Sequence, residues 1–108
     1  MQDDFDLDVI LSVLTGMNLT YFTQIYDFYS FIFEEELLIP EEIPFLRHIA
    51  LQHLLRIHPE LQYIKYDRSI SLNDWIDKQK SIFGEKMTVS VVGENIVKLE
   101  KQPVASAR

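Results

Sequence analysis

The segment YFTQIYDFYSFIF, residues 21–33, holds seven of the thirteen aromatic residues of this chain, and Glu34, Glu35 and Glu36 follow it directly. Its apolar residues recur with the 3.6-residue period of a helix, which predicts an amphipathic helix from about residue 20 to residue 35. The apolar face is expected to be buried in the core. Phe31 alone projects into the polar arc, so we expect it either to contact a partner or to be covered by a loop or tail.

Two more helices are predicted on either side of this segment. Residues 7–15 carry leucine and isoleucine at helical spacing, with Asp6 as the expected N-cap and Gly16 as the expected stop. Residues 42–57 are apolar around most of the helical circumference. This third helix is therefore predicted to be the central and most buried element, and His58-Pro59 is predicted to end it.

A fourth helix is predicted between Ser71 and Gly84. Ser71 is followed three residues later by Asp74, which is the spacing of a capping box. The buried stripe of this helix is expected to contain Leu72, Trp75, Ile76, Ile82 and Phe83. Residues 60–68 are compatible with a helical turn or with an extended stretch.

After Gly84 the apolar residues alternate with a period of two, at Met87, Val89 and Val91. This period predicts a β-strand, and residues 93–95 predict the loop of a hairpin whose second strand covers about residues 96–100. The expected fold is α+β and mostly helical, with about four helices packed around a central third helix and a C-terminal β-hairpin. Residues 1–101 are expected to form a single globular domain, followed by a flexible tail at residues 102–108.

The chain has 108 residues, a formal net charge of −7 and no cysteine. Disulfides and thiolate chemistry are therefore excluded, and direct binding to nucleic acid is disfavoured. Acidic residues precede the first predicted helix, and no apolar run reaches the length of a membrane span, so we expect a soluble protein in the cytoplasm with no membrane partner. An acidic surface suits a basic protein partner, or it serves solubility alone.

No arrangement of residues indicates a cofactor, a metal or a catalytic centre. His48, His53 and His58 are spaced by five, which points them apart on a helix, so they are predicted to be structural. The sequence contains no glycine-rich phosphate loop. The acidic residues near the amino terminus lack the central glycine and distal glutamate of a calcium loop. The chain is thus predicted not to be an enzyme and to bind no cofactor, although a triad assembled from distant segments would not be visible in the sequence.

Three segments, in order, resemble a family of small phage-encoded proteins of unknown function. Residues 10–16 (ILSVLTG) are similar to the family's ILS…TG opening, and residues 54–61 (LLRIHPEL) are similar to its L-x-x-Q-H-P-x-L segment, with Ile57 in place of glutamine. Trp75-Ile76-Asp77 and Phe83-Gly84-Glu85 are similar to its W-L-x…Y-G-E stretch. The resemblance spans about residues 8–92. It implies a phage or prophage accessory protein that acts in the cytoplasm of a bacterial host.

The leading functional expectation is a non-enzymatic accessory binding protein, specifically an acidic inhibitor of a host nucleic-acid-binding or defence protein. The residues expected to contact that bacterial host protein are Glu34, Glu35, Glu36, Glu41, Glu42 and Phe31. The first alternative is a structural or assembly protein that forms a homodimer or larger homo-oligomer through Phe31. The second alternative is an enzyme with a hidden site, which a pocket holding His53 or His58 beside a carboxylate would support.

Overall fold

The computed structural model of this chain describes residues 1–36 and 38–92. Within that part, the regular elements are two strands, four α-helices and two short 3₁₀ helices. In chain order they are β1 (Gln2–Asp6), α1 (Leu7–Thr15), α2 (Phe22–Ile32), the 3₁₀ helix Pro40–Glu42, α3 (Ile43–Ile57), the 3₁₀ helix Pro59–Tyr63, α4 (Leu72–Phe83) and β2 (Lys86–Ser90). The predicted α+β, mostly helical fold is confirmed.

Helix α1, the shortest of the four, lies at the centre of the core. Leu7, Ile10 and Leu11 have no exposed surface, and the other helices and both strands contact α1. The prediction that the third helix is central is wrong, since Phe45 of α3 is 82% exposed. Apolar residues surround α3 on most sides, so their pattern could not show which side faces the core. Full burial on α3 is confined to Ala50, His53 and Leu54.

The two ends of α1 are satisfied by groups from distant parts of the chain. Asp6 precedes the helix as predicted, but its side chain makes no capping hydrogen bond, and the Leu7 amide instead donates to the Glu85 carbonyl at 2.8 Å. At the other end, the prediction for Gly16 is confirmed, because its φ of 78° is left-handed and its amide donates to Ser12 O at 2.9 Å. Arg47 of α3 also donates to the last carbonyls of α1.

Strand β2 pairs with the amino-terminal strand. β1 and β2 are antiparallel, in a register that sets Phe5 opposite Met87 and Asp6 opposite Lys86. Met87 and Val89 are buried, which confirms the predicted period of two as far as the end of the strand at Ser90. Beyond it the prediction is wrong, since Val92 is buried and Val91 is only half-buried. The sequence analysis did not predict β1 at all. The predicted hairpin loop at residues 93–95, its second strand near residues 96–100 and the tail at residues 102–108 lie outside the described residues.

The other edge of β2 is covered by two histidines of α3 and its carboxyl end. His53 Nε2 lies 2.7 Å from Ser90 O, and His58 Nε2 lies 2.8 Å from Thr88 O. A carbonyl can only accept, so both Nε2 atoms carry the proton and donate. These side chains thus satisfy strand carbonyls that would otherwise lack a partner at the sheet edge.

The remaining helix predictions are mostly confirmed, with shifts at the ends. Helix α2 is shorter than predicted and buries Ile25, Phe28, Tyr29 and Ile32. Ser71 caps α4, since its Oγ accepts from the Asp74 amide at 3.1 Å. The prediction that Ile82 is buried is wrong, because it lies in the last turn of α4 and is 60% exposed. For residues 60–68 the sequence allowed a helical turn or an extended stretch. The structure has a 3₁₀ helix up to Tyr63, followed by irregular chain.

Replacing His53 by leucine is expected to lower the free energy of unfolding by about 1–2 kcal/mol, because it leaves the Ser90 carbonyl without its donor. Chemical denaturation measures this change. His48→Leu is the matched control, since His48 is exposed on the same helix and its Nε2 lies 3.1 Å from Gln52 Nε2 rather than from a strand carbonyl. Equal effects of the two substitutions would contradict the role of His53 in holding β2.

Burial raises the pKa of Tyr29 to about 12, although the nearby Arg47 charge acts in the opposite direction. Below the ordinary tyrosine pKa, near 10, both the folded and unfolded chains hold this proton. Between pH about 10 and 12 only the folded chain keeps it, so the free energy of unfolding should fall with rising pH, by about 2 kcal/mol from this group. Tyr29→Phe should remove that part of the alkaline slope in denaturation curves, whereas Tyr63→Phe, at a 78% exposed position, should leave it unchanged.

Candidate partner-binding surface

The three glutamates after the aromatic segment occupy a tight turn at the end of α2. The Glu34 amide donates to Phe31 O at 3.1 Å, and the Glu35 amide donates to Ser30 O at 3.0 Å. Glu34 has a φ of 53°, the left-handed conformation that glycine usually supplies at this position. The turn satisfies the last carbonyls of the helix and leaves all three glutamate side chains exposed.

Phe31 and these glutamates border one shallow groove. The groove has a volume of about 380 Å³, and Met1, Ser30, Phe31 and the three glutamates line it. Phe31 is half-buried, because the ring of Phe5 on β1 packs against it with centroids 5.4 Å apart. The covering segment left open by the sequence analysis is therefore the amino-terminal strand, and the rest of the Phe31 ring contributes apolar surface to the groove.

The predicted glutamates do not form a single group. Glu41 and Glu42 are exposed on the 3₁₀ helix Pro40–Glu42, and neither lines the groove beside Phe31. Among residues 1–36 and 38–92, none of the five predicted glutamates forms an ion pair. The structure thus brings Glu34, Glu35 and Glu36 together with Phe31 and leaves the other two on the next element.

A second acidic groove, missed by sequence reasoning, lies along the same side of the molecule. Phe5 of β1 packs against α2, where the Phe5 and Phe28 rings meet edge to face at 5.1 Å. This contact places three carboxylates of β1 beside Asp27 of α2, around a groove of about 330 Å³. The residues that line this groove are Asp3, Asp4, Phe5, Asp6, Val9, Gln24, Asp27 and Lys86.

The two grooves together define one surface, here called the acidic strip. Its members are exposed carboxylates along the contact of β1 with α2, namely Asp3, Asp4, Asp6, Asp27, Glu34, Glu35 and Glu36. Lys86 is the one lysine in the walls of the two grooves, which hold no arginine, and its Nζ lies 4.0 Å from Asp6 Oδ1. Met1 adds the amino-terminal ammonium group at the groove beside Phe31. With seven carboxylates against these two positive groups, the strip presents a net negative potential.

A signal for this surface exists in the sequence, as a segregation of charge. Every lysine and arginine lies at or after Arg47, whereas ten of the seventeen acidic residues precede it. Because β1 and α2 both come from the part of the chain without lysine or arginine, their contact produces an acidic surface. To locate this surface, the pairing of β1 must also be known. The sequence does not reveal that pairing, because the short, aspartate-rich sequence of β1 does not indicate a strand.

The three histidines do not meet. His53 and His58 donate to different carbonyls of β2, and His48 contacts Gln52. His58 Nδ1 is 3.9 Å from Glu60 Oε1 at the surface, and neither His53 nor His58 lines the two acidic grooves. Within the described part of the chain, no group of three or more potential metal ligands could hold an ion, and no helix is long and apolar enough to cross a membrane.

Comparisons of this chain with protein families, with characterised proteins and with solved structures found no match. The resemblance to the phage-encoded family therefore stays a prediction.

Replacing Glu34 by glycine is expected to raise the free energy of unfolding by about 1 kcal/mol, since glycine adopts a left-handed φ without steric cost and removes a charge that opposes the helix dipole. Denaturant unfolding of the purified variants tests this. Glu35→Gly, one residue further along, should give no gain. A loss of stability in Glu34→Gly would show that the glutamate side chain stabilises the fold by contacts of its own.

Proposed function

We propose that this chain is a non-enzymatic binding protein that docks on a basic protein surface through the acidic strip. The observation that carries this proposal is the alignment of seven exposed carboxylates along two adjoining grooves whose walls contain one lysine and no arginine. Such a surface attracts lysine and arginine side chains over distances of about a Debye length, and each carboxylate can accept charge-assisted hydrogen bonds from them.

The placement of the strip lowers the stability of the fold. A role in solubility alone does not require this loss. Glu34 adopts a left-handed backbone conformation, and three successive glutamates stand at the negative end of α2. Each of these placements is unfavourable, by about 1 kcal/mol for the backbone and a few tenths for each charge. Unfavourable local choices of this kind concentrate at functional surfaces, which supports a binding role for the strip.

The partner proposed here is a nucleic-acid-binding protein of a bacterial host. A row of carboxylates repeats the negative charge of a phosphate backbone, so it fits a channel lined with lysine and arginine. Phe31 and Met1 add apolar surface for the stems of those long side chains. Together with the resemblance to phage-encoded proteins, this favours an accessory protein that occupies the channel of a defence nuclease and excludes its substrate.

Glu41 and Glu42 belong to this proposal as flanking charges. Both are exposed on the 3₁₀ helix that follows the strip, outside the groove beside Phe31. They would extend the negative potential and affect mainly the association rate, whereas the carboxylates inside the grooves would determine how long the complex lasts.

Reversing the strip with Glu34→Lys, Glu35→Lys and Glu36→Lys is expected to weaken binding to the host partner at least tenfold, and raising the salt concentration should weaken the wild-type complex. The partner is first captured from nuclease-treated bacterial lysate and identified by mass spectrometry. It is then purified for titration with each variant, and its nucleic-acid binding is measured in competition with this chain.

The matched control reverses Glu60, Asp74 and Asp77, which are exposed outside the strip and give the same change in net charge. This control should bind as the wild type does. Equal loss in both triple variants would show a general charge effect, and unchanged binding of the strip variant would refute the proposal. Recovery of only the chain itself from lysate would instead favour self-assembly.

A further inference from the structure

A separate cavity lies on the junction of α1, α2 and α3, away from the acidic strip. Its volume is about 190 Å³. Val13, Ile25, Ile43 and Pro44 form apolar walls, and Tyr29 and Arg47 contribute the two long polar side chains. An apolar cavity of about 150 Å³ accepts a benzene molecule, so the space suits a ligand of that size.

Arg47 brings a positive charge to this cavity without a matching carboxylate. Its Nε donates to Val13 O at 2.9 Å and its Nη2 donates to Leu14 O at 3.1 Å. Within residues 1–36 and 38–92, no acidic side chain lies within ion-pair distance of the guanidinium. The carboxyl end of α1 offers only a partial negative charge, and a guanidinium has five N–H groups, so donors remain for another acceptor.

The position of the guanidinium depends on Gly16. A Cβ at Gly16 would stand 3.3 Å from Arg47 Cζ, closer than ordinary packing allows. The same glycine ends α1 in the left-handed conformation, with φ of 78°. Gly16 therefore stops the helix and also leaves room for the arginine head group at the edge of the cavity.

Tyr29 supplies the second polar group. Tyr29 is 2% exposed and lines the cavity. The hydroxyl is protonated at neutral pH, as tyrosine ordinarily is, and burial raises its pKa further, to about 12. A tyrosine on the wall of a cavity offers its hydroxyl as a donor to a bound oxygen atom.

We propose that this cavity binds a small monocarboxylate with an apolar body, its carboxylate paired with the Arg47 guanidinium and accepting from the Tyr29 hydroxyl. The planar guanidinium fork matches the two oxygens of a carboxylate, and the apolar walls match an aromatic ring or a short alkyl chain. Phosphate and other fully hydrated anions would lose hydration against these walls and gain little in return.

Benzoate is the probe, and benzamide is its uncharged counterpart of the same shape. Titration of the folded chain with benzoate should shift the amide resonances of Gly16 and Arg47 saturably, with a Kd of about 0.1–1 mM, which is ordinary for about nine non-hydrogen atoms. Benzamide should bind at least tenfold more weakly, because it cannot form the ion pair.

Tyr29→Phe should weaken benzoate binding at least threefold while leaving the fold intact, whereas Tyr63→Phe, at an exposed tyrosine, should leave it unchanged. Ile43→Trp, which fills the space beside Arg47, should abolish binding without removing any polar group. Absence of saturable shifts with benzoate, equal binding of benzamide, or unaltered binding by Tyr29→Phe and Ile43→Trp would each overturn the proposal. These readouts do not involve the acidic strip, so they are independent of the host-partner experiment.

Discussion

Helix α1 can be buried on nearly every side only because both of its ends are satisfied by groups from elsewhere in the chain. An α-helix leaves unpaired amides at its start and unpaired carbonyls at its end, and burying them without partners is costly. Here the Glu85 carbonyl accepts from the first amide, and Arg47 donates to the carbonyls of Val13 and Leu14. Lys80 Nζ also lies 3.1 Å from Asp8 Oδ1, which ties α4 to the first turn.

These contacts explain both surfaces for which we propose a function. Glu85 directly precedes β2, so the bond that starts α1 also aligns β2 with β1. That pairing lays the aspartates of β1 along α2 and creates the acidic strip. At the opposite end of α1, the arginine that closes the helix also gives the cavity its charge. One buried helix therefore organises, through opposite ends, both the acidic strip and the cavity beside Arg47.

The candidate site was partly predictable. Glu34, Glu35, Glu36 and Phe31 are adjacent in sequence and sit at a helix end, and the structure brings them to one groove. The carboxylates of β1 were not predictable as part of the same surface, because the strand that positions them pairs with a partner about eighty residues away. The hydrogen bond from Thr88 Oγ1 to Asp4 Oδ1 is one such contact, with a separation of 84 residues.

Local signals in the sequence determined where α1 and α3 end and where α4 begins. Gly16, Ser71 and the His58-Pro59 pair act through their own backbone geometry and hydrogen bonds within a few residues, so their effect is readable without the fold. Tertiary structure alone decided that α1 rather than α3 is central, that β2 pairs with β1, and that Arg47 reaches the cavity. Each of these outcomes depends on which apolar faces pack together between segments that are far apart in the sequence. That packing buries the apolar surface of the whole chain, so the pattern within any one segment does not determine it.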